Sequence, residues 1–183
     1  MVNKHHKLNP PNIPTELSPK ALRTLKPVIH QETNSPKIKG VYYKQLIRHV
    51  DARGDLTELW SFPWSKNEPI AKKVEHVYFN TTHEGFIKGF HWHRRTYSQY
   101  TCVSGKMQVV LVDIRKDSPT RYNVDQFIIG TNNPAYLKIP PGVLKAWKSL
   151  EGDSVIVNLL TSYDMSDNYK IDPQSILKTI WRK

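Results

Sequence analysis

Two histidines separated by a single residue, His91 and His93, carry the most reactive chemistry in the chain. Side chains along a strand alternate between faces, so these two project to the same side and can share one pocket. Paired imidazoles can take up a proton near neutral pH or contribute ligands to a metal ion. The run Lys106-Met107-Gln108-Val109-Val110-Leu111-Val112-Asp113 is β-branched and apolar. It reads as the returning strand, with Ser104-Gly105 as the turn, which puts the histidines on a predicted hairpin. Further on, Pro140-Pro141-Gly142 marks another turn and leads to Lys145.

The elements that must position these groups are short strands. Candidates are Val41 to Ile47, Leu56 to Trp60, Val74 to Thr81, Ile87 to His93, Gln99 to Val103, Lys106 to Asp113, Val124 to Ile129, Ala135 to Ile139 and Ser154 to Leu160. Turn residues separate them at Asp51-Ala52-Arg53-Gly54, Ser118-Pro119, Asn132-Asn133-Pro134, Pro140-Pro141-Gly142 and Glu151-Gly152-Asp153. No long helix interrupts the series, so an all-β sandwich or barrel is expected, and specifically a jelly roll. Residues 1–39 differ in texture, being basic and proline-containing. They read as an N-terminal arm preceding a domain over 40–183. Inside the arm, Ser18 as a cap, Pro19 at the first helical position and Ala21 to Leu25 predict one short helix.

Bulk properties narrow the functional classes. A chain of 183 residues can bury one substantial core. The lone Cys102 excludes an internal disulfide framework, and no window reaches the apolar run of about 20 residues that a membrane-spanning helix needs. The basic start of the chain is followed by no apolar stretch of a secretory signal, so a cytoplasmic protein is expected. The formal net charge is +11. Much of the excess lies at the ends, in Lys4, Lys7, Lys20, Arg23, Lys26, Lys37 and Lys39 against Glu16 and Glu32, and in Lys178, Arg182 and Lys183. That distribution, without a basic and aromatic surface motif, argues for solubility and against nucleic acid.

Gly85, His91, His93 and Gly105 fall in the register of the first motif of the cupin superfamily, with Ser98 at its acidic position. Pro140-Pro141-Gly142 matches the second motif, with Lys145 where a histidine is expected. Taken with Asp51-Ala52-Arg53-Gly54, Lys88-Gly89-Phe90-His91 and Val112-Asp113-Ile114-Arg115 followed by Ser118-Pro119-Thr120, the sequence resembles the dTDP-4-dehydrorhamnose 3,5-epimerase family. The resemblance runs from Gly40 to Trp181. Phe90-His91-Trp92-His93, Ile128-Ile129-Gly130 and Val157-Asn158 are similar to a divergent branch of epimerase-related proteins.

This resemblance implies a cupin jelly roll (a double-stranded β-helix), usually dimeric, that acts in carbohydrate metabolism such as dTDP-rhamnose biosynthesis. It implies a nucleotide-diphosphate sugar as substrate and no cofactor. The family's chemistry removes a proton beside a ketone and returns one to the opposite face. The resemblance places the base at His91, with His93 beside it, and an unperturbed imidazole titrates at about 6.5. The family's enolate-stabilising lysine falls at Ser98 and its tyrosine acid at Asn158. Its orienting aspartate falls in a C-terminal segment beyond the end of this chain. Lys145 stands at a second histidine position and can supply the cation an enolate oxygen needs. Tyr97, Tyr100 and Tyr163 are candidates for the acid. Arg53 falls at a diphosphate contact, Lys88 replaces an arginine of similar role, Glu58 matches a position near the base, and Leu56 replaces an aromatic there.

Three functions follow as expectations. The first is a metal-independent epimerase or isomerase of a dTDP-4-keto-6-deoxy sugar, working by proton abstraction. The second is a non-catalytic cupin that binds a nucleotide sugar or glycan. The third, a metal-dependent cupin, is the weakest, because Ser98 and Lys145 leave two imidazoles where catalytic sites typically use three protein ligands.

Overall fold

A computed structural model describes residues 28–30, 34–71, 73–173 and 176–182. The helix expected over Ser18 to Leu25 lies outside these residues. Strand is the dominant element: β1 (Val28–Ile29), β2 (Tyr42–Gln45), β3 (Arg48–Asp51), β4 (Gly54–Thr57), β5 (His76–Thr82), β6 (Ile87–Trp92), β7 (Ser98–Asp113), β8 (Asn123–Gly130), β9 (Ala135–Ile139), β10 (Val143–Leu160) and β11 (Tyr169–Lys170). Among the described residues the helical pieces are the single turn α1 (Trp64–Asn67) and a 3₁₀ turn at Met165–Asp167. No helix among the described residues is long and apolar enough to cross a membrane.

The two long strands organise everything else. β7 and β10 pair antiparallel along nearly their whole lengths, from Val143 opposite Asp113 to Leu160 opposite Ser98. Each bends in the middle and belongs to two layers. The first half of β10 pairs with β6 and its second half with β5. The first half of β7 pairs with β9 and its second half with β8. One layer is therefore β8, β7, β10, β6 and β11, and the other is β2, β9, β7, β10 and β5. The expected jelly roll is the observed architecture.

Ser104-Gly105 is not the hairpin turn expected from sequence. β7 runs through it, and β6 pairs with β10 and β11, so the histidine strand and the Lys106 run are not hairpin partners. The cause is a bulge. Tyr100 and Cys102 face the main core before Gly105, whereas Met107, Val109 and Leu111 face it afterwards. That switch from even to odd positions requires one extra residue in the strand. Gly105 has φ +73, and a Cβ there would lie 2.6 Å from the Asp153 carbonyl oxygen. β10 makes the matching switch across Glu151-Gly152-Asp153, from Val143 and Trp147 to Ile156. The expected strand Leu56 to Trp60 is likewise replaced by the small hairpin β3 and β4, which forms a sheet of its own.

Inward faces of the two layers enclose Tyr43, Tyr100, Val109, Leu111, Phe127, Leu137 and Trp147. The outer face of the β6 side is covered by Ile171, Ile176 and neighbouring residues of the C-terminal segment, which pack on Phe90, Val112 and Leu144. Burying such side chains contributes roughly 1.5–3 kcal/mol each. The described residues before Gly40 are tied to the same body. β1 pairs parallel with β8, Ile38 enters the core, and the Lys37 and Ile38 amides donate to Asp125 at 2.9 Å.

Asp113 to Thr120, one of the runs that carry the resemblance, forms a clasp. The buried Asp113 carboxylate accepts from Arg115 Nε at 2.8 Å, Ser118 Oγ at 2.5 Å and Thr120 Oγ1 at 2.7 Å. Burial pushes its pKa upward, but these donors outweigh burial and hold it below the ordinary value. Arg115 also donates to the Lys39 carbonyl, and Thr120 accepts from the Lys39 amide, which closes the strand end over the entry to β2.

Candidate active site

Inner-face residues of four strands converge where β10 passes β6 and β5. Lys145 on β10 lies directly opposite His91 on β6. A register shift then places Lys88 opposite Trp147, so Lys88 and His91 both face inward although three positions apart. The shift falls at Gly89, where a Cβ would come within 2.6 Å of Ala146 Cβ and 2.8 Å of the Lys145 carbonyl oxygen. Only glycine lets the two strands approach there. β5 supplies His76, Tyr78, Asn80 and Thr82 opposite Leu160, Asn158, Ile156 and Ser154. Their inward direction is fixed by contacts: Lys88 Nζ donates to Asn80 Oδ1, and Trp147 Nε1 donates to Thr82 Oγ1 at 2.9 Å.

His91 stacks on Trp147, with ring centroids 6.0 Å apart, and its Nδ1 is buried without a hydrogen-bond partner among the described residues. Burial, then the charges of Lys145, Lys170 and Lys88, lower its pKa to about 4, against a contact with Asn168 that pulls upward. His93 is pushed down to about 3 by burial and Lys145. Both rings are therefore neutral at pH 7 and able to accept a proton. Lys145 is 2% exposed, with Nζ 3.5 Å from His93 Nδ1. Burial depresses its pKa to about 7, opposed by Asp167. Bases and a movable positive charge thus share one low-dielectric pocket.

The resemblance put the family's orienting aspartate beyond the end of this chain, yet the C-terminal segment that is present brings an acidic residue to the histidines. β11 pairs with β6, Tyr169 opposite Trp92 and Lys170 opposite His91, which brings Asp167 and Asn168 to the pocket. Buried Asp167 accepts from the amides of Arg94, Arg95 and Thr96 at 2.7, 3.0 and 3.1 Å and from Thr96 Oγ1 at 2.9 Å. Burial raises its pKa, yet these donors keep it below the usual value, so it is a fixed negative charge acting on His93 and Lys145. Sequence reasoning missed both residues, because a short polar turn carries no periodic signal.

Other expected site residues divide clearly. Ser98 and Asn158 are buried on the inner face, on β7 and β10, beside Tyr100. Tyr100 is itself fully enclosed, and burial followed by Tyr78 raises its pKa. Tyr163 is 67% exposed and stacks edge-on against His76 at the rim. Tyr97 lies near Lys138 on the surface. Arg53 and Glu58 are exposed, and the Arg53 side chain, 90% exposed at the tip of the β3 and β4 hairpin, pairs with Asp51. Among the described residues, no contact links Arg53 to His91. A cavity of about 310 Å³ opens onto the cluster, lined by His76, Tyr78, His93, Thr96, Asp164 and Asn168 among others. Among the described residues, no three His, Cys, Asp or Glu side chains converge on a common point. The Lys145 ammonium lies against the histidine that a metal would use.

A pocket of neutral imidazoles facing a buried lysine can abstract a proton from carbon and hold the resulting oxyanion. The family profile described as dTDP-4-dehydrorhamnose 3,5-epimerase matches residues 35–181. The spore coat polysaccharide biosynthesis protein SpsL of Bacillus subtilis is 34% identical over 113 residues, 62% of this chain and 72% of that protein. The probable low-salt glycan biosynthesis epimerase Agl13 of Haloferax volcanii is 31% identical over 137 residues, 72% of this chain and 85% of that protein. In fold, the chain is similar to ChmJ, a 3'-monoepimerase from Streptomyces bikiniensis solved with dTDP-quinovose. The TM-score is 0.71 at 22% identity, over 78% of this chain and 73% of that one. On the profile match and the likeness to Agl13 together, the chain belongs to the dTDP-4-dehydrorhamnose 3,5-epimerase family.

Proposed function

We propose that this protein is an epimerase or isomerase of a dTDP-linked 4-keto-6-deoxy sugar, acting by proton abstraction without a metal. The observation that carries this reading is the placement of Lys145 directly opposite His91, buried and on the same face. His91 takes the proton from the carbon beside the ketone, the C–H electron pair becomes the enolate double bond, and the charge moves to the ketone oxygen. Lys145 meets that oxygen as ammonium. In a dry pocket a placed cation is worth far more than in water, and it does what a Lewis-acidic metal does elsewhere. His93 and Asp167 hold Lys145 in place. Lys88, Ser98 and Asn158 line the sugar-binding walls, and Tyr163 closes the rim.

Arg53 and Glu58 enter this reading through a second copy. The β3 and β4 hairpin exposes Val50 and Leu56, Ile47 is exposed just before it, and the outer face of β5 exposes Val77 and Phe79. A two-fold homodimer of this cytoplasmic protein would cover those apolar side chains and carry Arg53 towards a partner's diphosphate site.

One observation favours the alternative of a binding cupin: the position of the family's tyrosine acid is a buried asparagine, Asn158. Deuterium exchange separates the two. Incubated in D₂O with dTDP-4-dehydro-6-deoxyglucose, the wild type should incorporate deuterium beside the ketone, and His91→Asn should bind the sugar yet exchange about 10² to 10⁴ times more slowly. Binding without exchange by the wild type would replace the enzyme by the binder.

A further inference from the structure

We propose that Tyr78 is the proton donor of this site, a phenol supplied from β5 in place of one on β10. The inference rests on the epimerase reading above. Asn158 occupies the β10 position of the family's tyrosine, and Tyr78 is its direct cross-strand neighbour on β5. Side chains so paired share a face, one strand apart. The phenol therefore enters the same pocket from the adjacent wall.

Hydrogen bonding fixes how that phenol is used. Asn158 Oδ1 accepts from the Gln99 backbone amide at 3.2 Å, which sets the orientation of the amide group. Its Nδ2 must then point away, and it donates to Tyr78 Oη at 2.8 Å. Tyr78 is an acceptor in this contact, and no acceptor among the described residues takes its own proton. Tyr78 is 37% exposed and lines the 310 Å³ cavity beside His76, His93 and Asn168. Asn80, two residues along the same inward row, holds Lys88, which in turn acts on His91. The O–H thus opens on the same cavity as His93, the ring that Lys145 touches.

The step balances. The enolate carbon takes the proton of Tyr78 Oη, the new C–H bond forms as the O–H bond breaks, and the ketone is restored. The phenolate left behind keeps the hydrogen bond from Asn158 Nδ2 and is reprotonated from solvent through the cavity. Asn158 is then a positioning residue that stabilises the phenolate rather than a vestige of a lost acid.

The experiment follows two signals by NMR in D₂O with dTDP-4-dehydro-6-deoxyglucose: exchange beside the ketone and inversion of the sugar centre. Tyr78→Phe should lower inversion by about 10² to 10⁴ while exchange stays within about tenfold of wild type, because His91 still removes the proton. Tyr78→Phe/Asn158→Tyr should restore inversion by returning a phenol to β10. Asn158→Leu, which keeps the phenol but removes its donor, should lower inversion relative to exchange. Undiminished inversion in Tyr78→Phe overturns the proposal, as does equal loss of exchange and inversion, which would make Tyr78 a binding residue. Wild type that exchanges without inverting also overturns it while leaving His91 as base. Wild type that does neither removes the epimerase reading as well.

Discussion

Replacing Lys145 with methionine removes the buried amine with little change of volume, and its effect on stability has a calculable pH dependence. The amine titrates at about 7 in the folded protein and at about 10.4 in an unfolded chain. Below pH 7 both states carry the proton, and the folded state holds a desolvated cation. Between about 7 and 10.4 the unfolded chain keeps a proton that the native state has released, so wild-type stability rises with pH across that window. At about 1.4 kcal/mol per pH unit, the whole rise is about 5 kcal/mol. Lys145→Met lacks the group and should lack the rise. Urea unfolding at pH 6, 8 and 10 should therefore show the variant more stable than wild type at pH 6, with the gap closing by pH 10. The gap has about 5 kcal/mol as its upper bound, because the variant also strips Asp167 of its cation. Catalysis should move the opposite way, with exchange falling about 10² to 10³ as the oxyanion loses its partner. Parallel pH–stability curves for the two proteins would refute the placement of Lys145 as a buried, depressed amine.

Asp113→Ala should cost about 3–5 kcal/mol in chemical denaturation, because Arg115 and two hydroxyls lose a buried carboxylate; a loss below 1 kcal/mol would make the clasp ornamental. Added zinc, iron or manganese should neither raise the melting temperature nor create activity, since Lys145 competes for the space beside His93; a several-degree metal-dependent rise in differential scanning fluorimetry would contradict this. Arg53→Ala should raise KM for the dTDP-sugar with kcat nearly unchanged and flatten its salt dependence. A fall in kcat at constant KM would place Arg53 at the reacting carbon instead.

The strands and the jelly roll were legible because alternation and turn residues recur along the chain. The two bends were not, since Ser104-Gly105 and Glu151-Gly152-Asp153 carry the residues of true turns. Their signal was parity: apolar positions shift from Tyr100 and Cys102 to Met107, Val109 and Leu111, which a reversal does not require and a bulge does. His91 and Lys145 could be named from motifs, and the structure brings them face to face. Asp167 and Asn168 could not, because their approach depends on β11 folding back on β6. Tyr78 was hidden among Val77, Tyr78 and Phe79, three large side chains in a row whose facing only the pairing with β10 decides. Arg53 was named from its motif, yet one chain does not bring it to the pocket.

A crystal structure of the protein with dTDP-4-dehydro-6-deoxyglucose would show, through two distances, whether His91 and Lys145 act on the sugar together. Proton abstraction by His91 requires one of its ring nitrogens about 3–3.5 Å from the carbon beside the ketone, with Lys145 Nζ within hydrogen-bond distance of the ketone oxygen. A sugar bound with its ketone turned away from Lys145, or held on the β3 and β4 hairpin with the His91 pocket unfilled, would contradict it.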